Sequence, residues 1–197
     1  MIQVKEVFTY ILMERKIVKV EKTVLNGKKA SSQNVKKILS TLKTGNNDIL
    51  LVYFSGHGGM EQNKTFLFFT DDESISREEL EGMIKKKNAR LSFLISDACS
   101  SSIDTVMAPK AVKKGFKKGE KADAYDPVFR ELFYSYRGLL HVTAAKEGQY
   151  ATGTDNGGLF TIALINESLM YPRTSDWGKI LKEASESTNQ KYKKISQ

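Results

Sequence analysis

Cysteine and histidine are scarce in this chain. Its 197 residues hold one cysteine, Cys99, and two histidines, His57 and His141. A lone cysteine forms no internal disulfide, and one thiol with two imidazoles cannot supply the usual zinc cage. Neither staple is needed, since a single domain of this length can bury roughly 70% of its unfolded surface. Only three prolines occur, within an ordinary globular composition of 40% apolar and 27% charged residues. The longest apolar runs fall far short of the ~20 residues of a membrane span. The opening residues do not read as a secretory leader. A single unpaired thiol fits a reducing compartment, which leans the expectation towards the cytoplasm.

A net charge of +8 invites a nucleic-acid reading. The excess is spread along the chain, however, and its one cluster, Lys110 to Lys121, holds a single aromatic residue, Phe116, and no repeated aromatic–basic interleaving. Like-charge blocks of this kind are usually solvated loops. Non-specific attraction to polyanions follows from the charge; a specific nucleic-acid partner does not.

Along the chain, helix and strand signals alternate. Val4, Val7, Phe8, Ile11 and Leu12 make one helical face, and Ile17 to Leu25 alternates like a strand. Asn26-Gly27 marks a turn. Ser32 is placed to cap a helix with the stripe Val35, Ile38, Leu39 and Leu42, which Gly45 stops. Ile49 to Phe54 reads as a strand buried on both faces. Thr65 to Thr70 reads as a short strand or hairpin arm. Ser76 and Glu79 form a capping box, with Ile75 and Leu80 as its hydrophobic staple. Lys85 to Lys87 complement the dipole at the end of that helix. Leu91 to Ile95 is a second buried strand. Periodicity is lost over residues 103–124, which hold six lysines between Lys110 and Lys121 and read as a long mobile loop. Asp126-Pro127 opens a helix with Val128, Phe129, Leu132, Phe133 and Tyr136 inside. Leu139 to Thr143 is a third strand. Gly157-Gly158 precedes an apolar helix over Leu159 to Met170, and Asp176 caps a last one. The pattern predicts an α/β fold with a mostly parallel sheet and helices on both faces.

Two of these strands end alike. Ile49 to Gly59 reads I-L-L-V-Y-F-S-G-H-G-G, and Leu91 to Ser102 reads L-S-F-L-I-S-D-A-C-S-S-S. His57 stands three places after Phe54, and Cys99 three places after Ser96. Parallel neighbours would carry both to one sheet edge, where open α/β sheets bind ligands. A lone cysteine is commonly a small buried hydrophobe. This one lies after a strand and before three serines, where an imidazole or a turn rich in N–H groups can activate a thiolate. Glycines flank His57 on both sides, which allows a sharp turn and close approach. They also free the Gly58 N–H to join the Cys99 N–H as a donor pair for a developing oxyanion. His141 falls inside a strand and reads as structural.

The pair F-S-G-H-G and D-A-C resembles the caspase-like cysteine peptidases, the clan of caspases, metacaspases and paracaspases. Leu139 to Ile165 is similar to the small-subunit region of bacterial members, and Phe66 to Leu80 to the connection between the two catalytic strands. The resemblance implies a caspase-like three-layer sandwich over residues 1–197, with a large-subunit-like part (1–102), a basic loop (103–124) and a small-subunit-like part (125–197). It implies a polypeptide substrate, His57 and Cys99 as a catalytic dyad, and no required cofactor. Calcium activation occurs among metacaspases; Asp71 and Asp72 are candidates by composition alone. Asp97, two before the cysteine, stands where caspases have glutamine and metacaspases aspartate. A carboxylate in the specificity pocket favours lysine or arginine before the scissile bond. Glu147 is similar in position to a second pocket acid. Ser100-Ser101 departs from the pattern. Members of the clan also open with a strand ahead of the first helix, whereas the first residues here already read as that helix.

The expected reaction is peptide hydrolysis by Cys99 and His57, with a basic specificity that makes the lysine-rich loop a tethered substrate for self-cleavage. The rival reading is a caspase-like scaffold that acts by binding. The sequence leaves the oligomeric state open.

Overall fold

A computed structural model of the chain describes residues 20–100, 126–154, 157–170 and 172–195. The helix expected over 4–12 and the lysine-rich segment 103–124 lie outside the described residues. The described residues form two compact units. The first takes in 22–100 and 137–151. The second takes in 20–21, 126–136 and the described part of 152–195.

In chain order the first unit runs through a 3-10 turn (Gly27–Lys29), α1 (Ser32–Thr41), β1 (Ile49–Ser55), β2 (Gly58–Glu61), β3 (Lys64–Phe68), β4 (Ser74–Ser76), α2 (Arg77–Lys85), β5 (Leu91–Asp97) and β6 (Gly138–Thr143). The fold is α/β. Its main sheet is parallel, in the order β1-β5-β6, beside a smaller antiparallel sheet, β2-β3-β4. Pairing of β1 with β5 runs from Ile49 opposite Leu91 to Ser55 opposite Asp97. On the other edge, β5 pairs with β6 from Leu91 opposite Gly138 to Ser96 opposite Thr143.

The central strand β5 is buried at all seven positions, as its unbroken apolar run requires. β1 was expected to be equally buried and is not: Ile49 to Phe54 are half-buried and Ser55 is exposed. Among the described residues β1 pairs along one edge only. Side chains alternate across a strand. Leu94 and Ala98 accordingly join a core of Leu39, Leu67, Ile75, Leu80 and Ile84, against which Leu50, Val52 and Phe54 also pack. Each such aliphatic side chain contributes about 1.5–3 kcal/mol when fully buried.

Local chemistry sets the helix ends. Ser31, one residue before the expected cap, accepts the Asn34 N–H and caps α1. Ser32 is the first helical residue, and its hydroxyl and N–H donate instead to the Asp71 carboxylate at 2.9 and 3.1 Å. Ser76 caps α2 as expected, accepting the Glu79 N–H at 3.0 Å. The Glu79 carboxylate pairs with Lys36 at 2.8 Å. Ile75 and Leu80, the expected staple, are both buried in the core. Lys87 was expected to complement the end of its own helix. Its Nζ donates to the carbonyls of Ser40 and Leu42 at the end of α1, the neighbour in space whose orphan acceptors it reaches.

Two strand expectations are corrected. Residues 20–25 of the alternating stretch 17–25 form no strand, since no described strand pairs with them. The arm expected at Thr65 to Thr70 is β3, which starts one residue earlier and ends two residues earlier. Its partner is β2, whose G-G-M-E sequence carries little strand propensity. Gln62 and Asn63, at φ 48° and 61°, make the tight turn between them. Left-handed backbone at both central positions matches the twist of a two-residue hairpin.

The second unit holds α3 (Asp126–Tyr134), the two-residue strands β7 (Gly153–Thr154) and β8 (Gly157–Gly158), α4 (Leu159–Ala163) running into a π-helical stretch (Leu164–Leu169), and α5 (Trp177–Ile195). Phe129, Leu132 and Phe133 of α3 are buried as their spacing predicts. Phe133 stacks edge-to-face on Trp177, whose indole N–H donates to the Leu132 carbonyl at 2.8 Å. Asp176 caps α5 by accepting the N–H groups of Gly178 and Lys179. No helix among the described residues is long and apolar enough to cross a membrane.

Candidate active site at the carboxyl edge of the parallel sheet

β1 and β5 are in register with an offset that also separates His57 from Cys99. Ser55 stands opposite Asp97, and each candidate lies two residues further on. The pairing continues beyond the strands, with the Gly56 N–H donating to the Asp97 carbonyl at 3.3 Å. The two segments then touch. A Cβ placed on Gly58 would lie 2.6 Å from the Cys99 carbonyl oxygen, 2.9 Å from the Ala98 Cβ and 3.0 Å from the Phe66 carbonyl oxygen. Only glycine permits that approach, and the reason is contact, since Gly58 is not in the left-handed region.

The hairpin orients the Gly58 amide. Phe68 donates to the His57 carbonyl at 3.0 Å, and Gly58 is the next position, opposite Leu67. Hydrogen-bonded and non-bonded pairs alternate in an antiparallel ladder. The Gly58 N–H therefore points away from β3. His57 itself is exposed, whereas Cys99 is buried at 6% exposure with its Sγ 3.7 Å from the Ala151 carbonyl.

The third strand closes the site from the other side. Ala144 donates to the Ser96 carbonyl, extending the β5–β6 pairing, and the chain then turns over Lys146 to Gln149. Gly148, at φ 78°, occupies the turn position that demands a left-handed residue. The turn is zipped to the cysteine segment by two backbone bonds: Ser100 N–H to the Gln149 carbonyl, 2.9 Å, and Gly148 N–H to the Ser100 carbonyl, 2.8 Å. Glu147 is thereby exposed at the tip of a turn held against the Cys99 segment. Asp97 is 4% exposed, and by alternation it lies on the face of β5 opposite Leu94 and Ala98. The structure thus brings His57, Gly58, Cys99 and the Glu147 turn to one edge, with Asp97 at the base of the cysteine segment.

One residue at this edge escaped the sequence reading. Arg77, the first residue of α2, is 4% exposed. One terminal nitrogen donates to Ser100 Oγ; the other donates to the carbonyls of Ala98 and Cys99, each at 3.3 Å. Ser100 Oγ donates onward to the Ala145 carbonyl at 3.3 Å. Burial pushes the guanidinium below its ordinary value, while the charges of Glu78 and Cys99 oppose that shift. Burying such an ion costs several kcal/mol. Hydrogen bonds to a charged group offset this at about 1.5–3 kcal/mol each. The only sequence signal was a cation in the first turn of a helix, where the dipole disfavours it.

His141 lies in β6 opposite Leu94, five residues before Cys99 on the neighbouring strand. Its Nδ1 is 3.8 Å from Glu81. Burial lowers its pKa from the ordinary 6.5; Glu81 opposes this, Arg77 adds to it, Glu78 opposes it and Lys85 adds to it. Of the carboxylates considered for calcium, Asp71 is occupied by Ser32 and Gln33. Among the described residues no group of three or more His, Cys, Asp or Glu could hold a metal ion.

A parallel α/β sheet with a thiol and an imidazole on adjacent strand ends is the frame of a cysteine hydrolase. The family model for the caspase domain matches residues 5–197, and the chain belongs to that family of cysteine peptidases. No curated protein matches it.

Two outcomes follow. Gly58→Ala is expected to destabilise the fold by about 1–3 kcal/mol in urea unfolding, because neighbouring backbone must move to admit the methyl group. It is also expected to change the rate at which iodoacetamide alkylates the sole cysteine. For His141, the folded pKa lies below the unfolded one, so its contribution is present above about pH 6.5 and is lost as pH falls towards the depressed value. His141→Gln is expected to flatten the decline of urea midpoints between pH 7 and 5; an unchanged slope would contradict this.

Proposed function

We propose that this caspase-family protein is a cysteine endopeptidase that cleaves after lysine or arginine by a Cys99–His57 dyad. The observation that carries the proposal is the shared register of β1 and β5, which sets Cys99 and His57 at equal distances beyond one sheet edge. In the reaction, the Cys99 sulfur adds to the scissile carbonyl carbon and His57 accepts the thiol proton. The tetrahedral oxyanion is held by the N–H groups of Gly58 and Cys99. Collapse breaks the C–N bond, and the leaving amine takes the proton from His57. Water, deprotonated by His57, then attacks the thioester, releasing the acid and restoring the thiol.

Basic specificity rests on Asp97 and Glu147. A carboxylate facing the residue before the scissile bond attracts a guanidinium or ammonium group and repels aspartate. The aspartate two before the cysteine is also the feature that brings the chain nearest to metacaspases. The same specificity makes residues 110–121, with six lysines, a substrate within the chain.

On short fluorogenic peptides, Arg- or Lys-ended substrates are expected to turn over and Asp-ended ones not to. Cys99→Ala and His57→Ala are expected to lose at least about 10³-fold in kcat/KM. Asp97→Asn is expected to lose about 10–100-fold on the basic peptides, the loss of one charge-assisted contact. Preference for Asp-ended peptides would overturn the specificity. Intact-mass analysis is expected to show the wild-type chain cut within 110–121 and Cys99→Ala uncut; a wild-type chain that stays whole would remove self-processing.

A further inference from the structure

Arg77 stands where local physics disfavours it. A cation at the first residue of a helix opposes the helix dipole. It is also nearly fully buried, and among the described residues its Nε has no hydrogen-bond partner. Among the described residues, the hydrogen bonds of its two terminal nitrogens go to one segment, Ala98 to Ser100.

Those acceptors define the peptide planes on either side of Cys99. The Ala98 carbonyl shares a plane with the Cys99 N–H. No described peptide bond is cis, so pulling the carbonyl towards Arg77 turns that N–H the opposite way. The Cys99 carbonyl shares a plane with the Ser100 N–H. That plane is pinned at both ends, by Arg77 on the oxygen and by the Gln149 carbonyl on the N–H. Ser100 Oγ, between Arg77 and the Ala145 carbonyl, ties the same clamp to the 145–149 turn.

We propose that Arg77 is a positioning residue that sets the direction of the Cys99 N–H by holding the carbonyls of Ala98 and Cys99, with Ser100 linking it to the specificity turn. This rests on the cysteine-peptidase reading, in which that N–H receives the oxyanion. A donor engaged only in the transition state affects kcat and leaves KM nearly unchanged.

The test compares wild type with Arg77→Met, Arg77→Lys and Ser100→Ala. The readouts are kcat and KM on a basic peptide and the rate of iodoacetamide alkylation at one pH. Cys99 is the sole cysteine, so intact mass reports its alkylation without any need for peptidase activity. Arg77→Met is expected to lower kcat about 100-fold with KM within about threefold. It is also expected to change the alkylation rate severalfold, because the segment that presents the thiol is released from its clamp. Arg77→Lys keeps the charge but lacks the fork, and is expected to leave kcat about tenfold low with an alkylation rate between those of Arg77→Met and wild type. Ser100→Ala is expected to fall between Arg77→Lys and wild type. If Arg77→Met does not fold, the Arg77→Lys and Ser100→Ala values decide. Folded Arg77 variants that match wild type in kcat and alkylation overturn the clamp and leave the peptidase reading intact. A wild type that cleaves nothing, with alkylation still altered by Arg77→Met, supports the clamp and removes the peptidase reading. A fall in kcat that only matches the loss of folded protein, so that kcat per folded molecule equals wild type, also overturns the clamp.

Discussion

The pairing of β1 with β5 is the constraint on which the rest of the site depends. A parallel ladder holds two strands at a fixed offset, and a slip of one residue would turn every side chain of one strand to the opposite face. Leu50, Val52 and Phe54 pack on the same core as Leu94 and Ala98, and such a slip would put Leu51 and Tyr53 there in their place. Both strands are apolar on both faces, so the ladder and the fit of these side chains hold the register, and the register fixes how far His57 and Cys99 stand beyond the sheet. The close approach of Gly58 to the Cys99 carbonyl is the second half of this constraint. It leaves no room for a side chain between the two segments.

Around that edge, the backbone polar groups of the cysteine segment are engaged from several directions. β6 delivers a turn whose bonds run to both backbone groups of Ser100. α2 delivers the guanidinium of Arg77 to the carbonyls on either side of Cys99. Buried backbone groups left unpaired cost about 1–3 kcal/mol each, so these loops stabilise one another as well as the site. A caspase-family segment that has serines after its cysteine thus uses Ser100 as a junction. Its hydroxyl accepts from Arg77 and donates to Ala145, and its amide and carbonyl reach the neighbouring turn.

Much of this was legible residue by residue. The capping box at Ser76, the cap at Asp176 and the helix opened at Asp126-Pro127 are local signals, and each element forms where its signal stands. So are the three parallel strands, whose apolar runs have strand length. What was misread depended on neighbours in space. β2 is a strand because β3 lies beside it. Ser32 is drawn from capping by Asp71, 39 residues away. Lys87 serves α1, which precedes its own helix in the chain. Half-burial of β1 reflects which edges are paired, a property its apolar composition does not carry.

By itself, the sequence determined the α/β alternation, the positions of the three parallel strands and the placing of a glycine-flanked histidine and a lone cysteine just past two strand ends. Those follow from periodicity and turn chemistry, which act over a few residues. Only the tertiary structure decided that the two strands are adjacent and in register. It also decided that Gly58 is required for contact and that a buried arginine from a third element grips the peptide planes of Cys99. These depend on hydrogen bonds and packing between residues 20 to 50 apart, where partners are selected by burial and geometry.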